Sequence, residues 1–397
     1  MNAQIVEFFE KGTLVRPAPH EPSLVHLVRA MASLCGVKDL NQSPATANLM
    51  DTIGEADHLV FVLLDGLGMN LVQRLSPGSF FRMHMKRQIL AGFPSTTASA
   101  LTSVATADWP SRHGATGWFT HLPEFETTCV LLPFLNRFTH QPLDQRGIRI
   151  EDVLPIAAFY PRMKHRSLTI LPHKISHTVY ATWSRGGTEA WGYHSISESV
   201  EMTIRHVREA TEPTYTHLYI HDIDSLCHKV GVFDTTVDAL VSGLNDHIAR
   251  LAAELQGRAR IIVSADHGLL NCELPNRHGI FDGDPLLDLL QVPPSGDARL
   301  PLFHVKEGKR EQFEAAFRER YGEQFALLDM RDAERLEIFG PAPMSPKARA
   351  HFGDYVAIAF QAAMLDYMPR GRTPANAYFA QHAGLSPQEM LVPLIVA

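Results

Sequence analysis

Three apolar runs in this chain stop on acid: HLVFVLLDGLG (His58–Gly68), THLYIHDID (Thr216–Asp224) and ARIIVSADHG (Ala259–Gly268). A continuous apolar run such as Leu59–Leu64 suits a strand covered on both faces, as in a parallel sheet. Helix-like patterns follow the first two runs, at Leu67–Leu75 and, long and amphipathic, at Asp234–Leu255. This alternation predicts an α/β fold with a doubly wound, mostly parallel sheet flanked by helices. Open sheets of that kind bind ligands beyond the carboxyl ends of their strands. Asp65, then Asp224 and His228, then Asp266 and His267 are therefore expected to converge although they lie far apart in sequence.

The chain has 397 residues, too many for one simple core. Its texture changes between Asn271 and Tyr378. Pro293-Pro294-Ser295-Gly296 reads as a linker. LPLFHV, the helix-like Lys309–Tyr321, FALLD, the helix-like Met330–Phe339 and YVAIAF then predict a small α/β insertion. Residues 1–289 and 376–397 are assigned to the core, and 290–375 to an inserted cap. Leu391–Val396 returns to a buried apolar strand. Ser167–Leu171 and Thr178–Thr182 read as further strands.

A net charge of −7 and the lack of any Lys/Arg run argue against a nucleic-acid-binding patch. The four cysteines form no CxxC pair. The N-terminal stretch has no apolar core of signal-peptide length, and no run approaches the roughly 18 apolar residues of a membrane span. The expectation is a cytoplasmic protein with no membrane segment.

A hydroxyl joins the acids and imidazoles. In FPSTTASALTSVATADWPSRHG (Phe93–Gly114), Pro94 and Ser95 read as a helix entrance, and Ala98–Ala107 as a helix of small residues. Thr97 stands at its start, with Thr96 as its rival. His382 precedes the last strand. Three aspartates, three histidines and a hydroxyl offer only nitrogen and oxygen ligands. Such a set suits two divalent cations, with zinc first and manganese as the alternative. A threonine hydroxyl is a poor nucleophile at neutral pH unless something lowers its pKa. A helix N-terminus also turns free N–H groups toward an anion. Alone, each feature has a plain reading: Asp65-Gly66 as a turn, Asp224 and His228 as a solvated helix start, Thr96-Thr97 as a helix cap. Their joint occurrence favours a metal site.

Taken in order, FPSTTASALTSVATADWPSRHG, the DxxxH spacing of Asp224 and His228, SADHG and HAGLSPQEMLVP resemble the alkaline phosphatase superfamily, in its type I phosphodiesterase/nucleotide pyrophosphatase branch. The resemblance covers Leu59–Gly114, Tyr219–Gly231, Ile261–Gly268 and His382–Leu394. It implies one metal held by Asp224, His228 and His382, and a second held by Asp65, Asp266, His267 and the Thr97 hydroxyl. It implies that Thr97 attacks phosphorus and that water then releases the product. The expected activity is hydrolysis of a small-molecule phosphoester, first as a phosphodiesterase or nucleotide pyrophosphatase. A phosphomonoesterase or a phosphonate hydrolase on the same scaffold is the alternative. A non-catalytic phospho-ligand-binding relative and a phosphoryl-transferring mutase rank lower.

The chain departs from the branch in places. Trp118 falls where the branch usually has a phosphate-binding Asn. Ala383 stands where it often has Gly, and no counterpart of the monoesterase arginine is evident. Trp118 and His278 are the candidate substrate contacts, Trp118 as a stacking wall and His278 beside Arg277 in LPNRHGIFDGD. Asp222 is expected to face outward or to orient a ligand, His113 to be structural, and Cys227 to be a buried small residue.

Overall fold

The computed structural model describes residues 3–40, 43–369, 373 and 378–397. His58–Leu64, buried along its whole length, is the middle strand of a seven-stranded sheet. It lies parallel to Thr214–Ile220 on one side and to Ala259–Ser264 on the other. Beyond Thr214–Ile220 come Arg166–Pro172 and Glu189–Tyr193, also parallel. Beyond Ala259–Ser264, Leu391–Val396 runs antiparallel and pairs in turn with Met85–Leu90. Helices that include Leu24–Leu34, Thr97–Thr106, Ile196–Glu209 and Thr235–Glu254 accompany this sheet, so the expected doubly wound, mostly parallel architecture is present.

Register places the functional ends. Leu64 pairs with Ile220 and Leu63 with Ser264, so the three middle strands finish level. The residues that follow leave the sheet at one edge. The Asp65 N–H still donates to the Ile220 carbonyl, and the Asp224 N–H donates to the carbonyl of Asp65. Gly66, at φ +82°, makes this approach possible: a Cβ there would lie 3.1 Å from the Asp224 backbone and 2.7 Å from Leu269.

A second seven-stranded sheet takes strands from two distant segments. Phe325–Asp329, Tyr355–Ala359, Leu300–Phe303 and Ser295–Asp297 continue into Phe119–Leu122, Thr127–Val130 and Leu135–Asn136. The join is the pairing of Gly296 with Phe119. The sequence reading of Pro293–Gly296 as a linker is thus corrected: Ser295 and Gly296 open a strand. Gly296 is required because a Cβ would lie 2.4 Å from the Leu300 carbonyl oxygen at a φ of +80°. The chain segment 290–375 also builds its own aromatic core from Phe303, Phe313, Phe317, Phe325 and Tyr355. The expected boundary at 375/376 lies outside the described residues.

One expected strand is a helix. Thr178 caps Val179–Ser184 by accepting from the Ala181 N–H, a local bond that outweighs the β-propensity of the run. Among the described residues, no helix is long and apolar enough to cross a membrane.

Candidate metal and nucleophile site

The strand Thr214–Ile220 ends, and a helix begins at Asp222. Asp224 and His228 therefore sit one turn apart on one helix face, with His228 Nε2 3.2 Å from Asp224 Oδ1. His382 arrives from the loop before the antiparallel strand, its Nε2 3.7 Å from the same oxygen. His267 Nε2 lies 3.4 Å from Asp65 Oδ1 and 3.4 Å from Asp266 Oδ2. The rings of His267 and His382 stack at 3.9 Å. Ligand-type atoms of Asp65, Asp266 and His267 form one close set, and those of Asp224, His267 and His382 another. His228 joins the second through Asp224.

Each histidine is oriented by a backbone carbonyl. His228 Nδ1 meets Ala380 O at 2.8 Å, His382 Nδ1 meets Ser95 O at 3.2 Å, and His267 Nδ1 meets Gly268 O at 3.1 Å. A carbonyl only accepts, so the proton sits on Nδ1, and all three Nε2 lone pairs face the cluster. Tyr219, from the strand that delivers Asp224, donates its hydroxyl to Asp65 Oδ2.

Charge is unbalanced here. Asp65, Asp224 and Asp266 are close together, and among the described residues no Lys or Arg ion pair reaches them. Burial, with the charges of Asp266 and Asp224, pushes the Asp65 carboxyl well above its ordinary range. Burial also raises Asp266. Burial would raise Asp224 too, but His228 and His382 outweigh it and hold its carboxyl low. Burial and the neighbouring His267 lower His382. Asp65 Oδ1, Asp224 Oδ1 and Asp266 Oδ2 are buried without a hydrogen-bond partner. Unpartnered buried carboxylate oxygens are costly unless a cation completes them.

Thr97 opens the helix Thr97–Thr106. Its Oγ1 lies 3.1 Å from His267 Nε2 and 3.5 Å from Asp65 Oδ2. Thr96, its rival, is the N-cap residue of the same helix and makes no side-chain cap hydrogen bond. Ser95 ties this entrance to the His382 loop by donating to the Gly384 carbonyl at 2.6 Å. Ala383, beside His382, has φ +96°, a backbone that glycine adopts without strain.

Trp118 lines the same cavity as Thr97, Asp65 and Asp224. Its N–H donates to Asp297 Oδ2 at 3.0 Å. Gly117 approaches so closely that a Cβ would lie 2.4 Å from that oxygen. Burial pushes the Asp297 carboxyl up to about 7 against the pull of the Trp118 N–H and the Thr96 hydroxyl. Sequence reasoning missed Asp297, Tyr219 and Ser95.

The remaining candidates lie elsewhere. His278 bonds Gln324 and meets the ring edges of Tyr321 and Phe325, away from the cavity lining. Arg277 donates to the Cys272 carbonyl and stands over Phe379. Asp222 is half-buried beside His221. His113 accepts from the Ala115 N–H and meets Ser103 Oγ, fully buried. Cys227 is buried.

A family model described as type I phosphodiesterase/nucleotide pyrophosphatase matches residues 59–338. No curated protein matches the chain by sequence. Among solved structures, the chain is similar to murine ectonucleotide pyrophosphatase/phosphodiesterase 5, with a TM-score of 0.64 and 14% identity over 85% of this chain and 87% of that one. An inactive threonine-to-alanine variant of the murine protein in complex with AMP aligns with a TM-score of 0.62 and 14% identity, over 85% of this chain and 87% of that one. Phosphonoacetate hydrolase from Sinorhizobium meliloti 1021, in complex with phosphonoformate, aligns with a TM-score of 0.57 and 18% identity, over 85% of this chain and 89% of that one. At these identities the structural likeness is one of fold.

Proposed function

The chain belongs to the type I phosphodiesterase/nucleotide pyrophosphatase family, and from that premise we propose that it is a two-metal phosphodiesterase with Thr97 as its nucleophile. One observation carries this reading. The Thr97 hydroxyl stands within 3.5 Å of both His267 and Asp65, in a cluster of buried carboxylate oxygens that have no hydrogen-bond partner.

The donor set fits divalent cations. Asp224, His228 and His382 would hold one ion, and Asp65, Asp266, His267 and the Thr97 hydroxyl the other. Three imidazoles among oxygen ligands favour zinc, with manganese as the alternative. Bound there, the ions supply Lewis acidity and offset the charge of the phosphate.

The chain's own groups supply the rest. Thr97 Oγ forms a bond to phosphorus as the bond from phosphorus to the leaving alcohol oxygen breaks, and water then cleaves the phosphothreonine. The N-terminus of the Thr97–Thr106 helix turns its free N–H groups toward the phosphate. Tyr219 fixes the carboxylate of Asp65, and the three backbone carbonyls fix the imidazoles. Thr97 is favoured over Thr96 because it is the Thr97 hydroxyl that lies beside His267 and Asp65.

The match to a phosphodiesterase family model supports a diester over a monoester. A phosphonate hydrolase is the second reading, favoured by the fold shared with phosphonoacetate hydrolase. A reducing, cytoplasmic setting belongs to the proposal, supported by four buried, unbridged cysteines.

The test is metal content by elemental analysis together with hydrolysis of bis(p-nitrophenyl) phosphate and p-nitrophenyl phosphate. Two transition-metal ions per chain and chelator-sensitive diester turnover are expected. Thr97→Ala should keep both ions and lose turnover by orders of magnitude. Near-normal turnover in that variant would sink the nucleophile assignment.

A further inference from the structure

Behind Thr97 the site opens into a cavity of about 310 Å³, at the small end of ordinary ligand pockets. One wall is the nucleophile's own helix, through Leu101, Val104 and Ala105. The facing wall comes from Leu171, Ile175 and the helix Val179–Ser184. Both walls are mainly apolar.

The floor is different. Thr169 and His217 are register partners on adjacent parallel strands, so their side chains stand together on one face of the sheet. Both line the cavity. Thr169 Oγ1 and His217 Nε2 are buried without a hydrogen-bond partner. The other nitrogen of His217 meets the Tyr160 hydroxyl at 2.9 Å. Tyr219, two residues on from His217, reaches Asp65. One strand face therefore leads from the cavity floor to the metal cluster.

Among the described residues, Arg185 is the one lysine or arginine that lines the cavity. Its guanidinium donates to the carbonyls of Ser176, Ala181 and Thr188 and to the Thr182 hydroxyl. A nucleobase would leave several polar edge atoms against apolar wall, where unpaired polar groups are penalised.

We propose that this cavity receives one ester substituent of the substrate, and that this substituent is an uncharged, largely apolar alcohol with a single hydrogen-bonding group at its far end. Thr169 and His217 meet that group. The substrate is then a phosphodiester of a hydrophobic alcohol and not a nucleotide. This inference rests on the phosphodiesterase reading.

The experiment compares kcat/KM of the metal-loaded protein for three p-nitrophenyl diesters, carrying methyl, 1-naphthyl or 5′-thymidyl as the second group. The naphthyl ester is expected to exceed both others by at least about tenfold, within reach of an apolar pocket. Ala181→Trp, which fills the cavity, should erase that preference with metal content kept at the wild-type level. Thr169→Val is the milder companion; it should keep the naphthyl preference and selectively weaken naphthyl esters that carry a distal hydroxyl. A thymidyl preference, or a naphthyl preference that survives Ala181→Trp, overturns the inference. Should no diester be hydrolysed, the phosphodiesterase reading falls, and 1-naphthol fluorescence decides the cavity separately. Binding lost in Ala181→Trp upholds an apolar pocket, and no binding to wild type removes it.

Discussion

Asp297 accepts from the backbone N–H of Trp118, which lines the cavity beside Thr97. Asp297→Asn keeps the shape and removes the charge. Above pH 7, where the raised Asp297 carboxyl is ionised, the ratio of monoester to diester kcat/KM is expected to rise roughly tenfold, about 1.4 kcal/mol, within what like charges exert near a protein surface. An unchanged ratio would remove Asp297 from substrate discrimination. The residues read correctly as a cluster from sequence stood at the ends of apolar runs, where an acid or imidazole is conspicuous. Asp297 was not legible, because a single Asp in PPSGD looks like any turn. Its position depends on Gly296 pairing with Phe119, and no local pattern encodes a contact across that much sequence. Tyr219 did leave a signal. Tyr215, His217 and Tyr219 recur at every second position of a buried strand, a period of two that puts all three polar rings on one face.

At the scale of elements, the loop that carries His382 is fastened by a buried ion pair. Glu389 accepts from Arg299 Nε at 2.6 Å and Nη2 at 3.0 Å, and also from the N–H groups of Gly384 and Ser386. Arg299 in turn donates to the carbonyls of Gln361 and Ala363. The pair therefore locks the second sheet's segment to the His382 loop of the first. Arg299→Met leaves the Glu389 carboxylate buried and without its cation, which should cost about 3–5 kcal/mol. Urea unfolding should show that loss, and elemental analysis should show weakened metal retention. The double variant Arg299→Met/Glu389→Met should recover part of the stability; a double variant worse than the single would contradict the ion-pair account. Half of this clamp was readable, since Ser386 and Glu389 have the spacing of a capping box. The other half was not, because Arg299 is distant in sequence. Thr178–Thr182 misled for the opposite reason: a single capping hydroxyl decided between strand and helix.

For the whole molecule, the α/β architecture was legible because apolar runs and helical periods alternate over most of the chain. What escaped was the sharing of one sheet between two segments. Glu124 bridges them as well, with Lys347 Nζ and His351 Nε2 both 3.1 Å from its Oε1. Burial would raise the Glu124 carboxyl, but His351 and Lys347 outweigh it and hold it near about 2. A carboxyl lowered on folding contributes stability above its unfolded value of about 4.5 and loses it as pH falls toward the folded value. Glu124→Gln should therefore melt below wild type at pH 7, with the gap closing between about pH 4.5 and 2. A gap independent of pH would assign the effect to packing. One more consequence concerns synthesis. The strand Leu391–Val396 sits between Ala259–Ser264 and Met85–Leu90, yet it leaves the ribosome more than a hundred residues after either. The growing chain must hold that slot open, with an apolar groove exposed, until the final insertion. His382 emerges in the same interval, so the cluster of acids and imidazoles closes only after the other six strands of this sheet have been made.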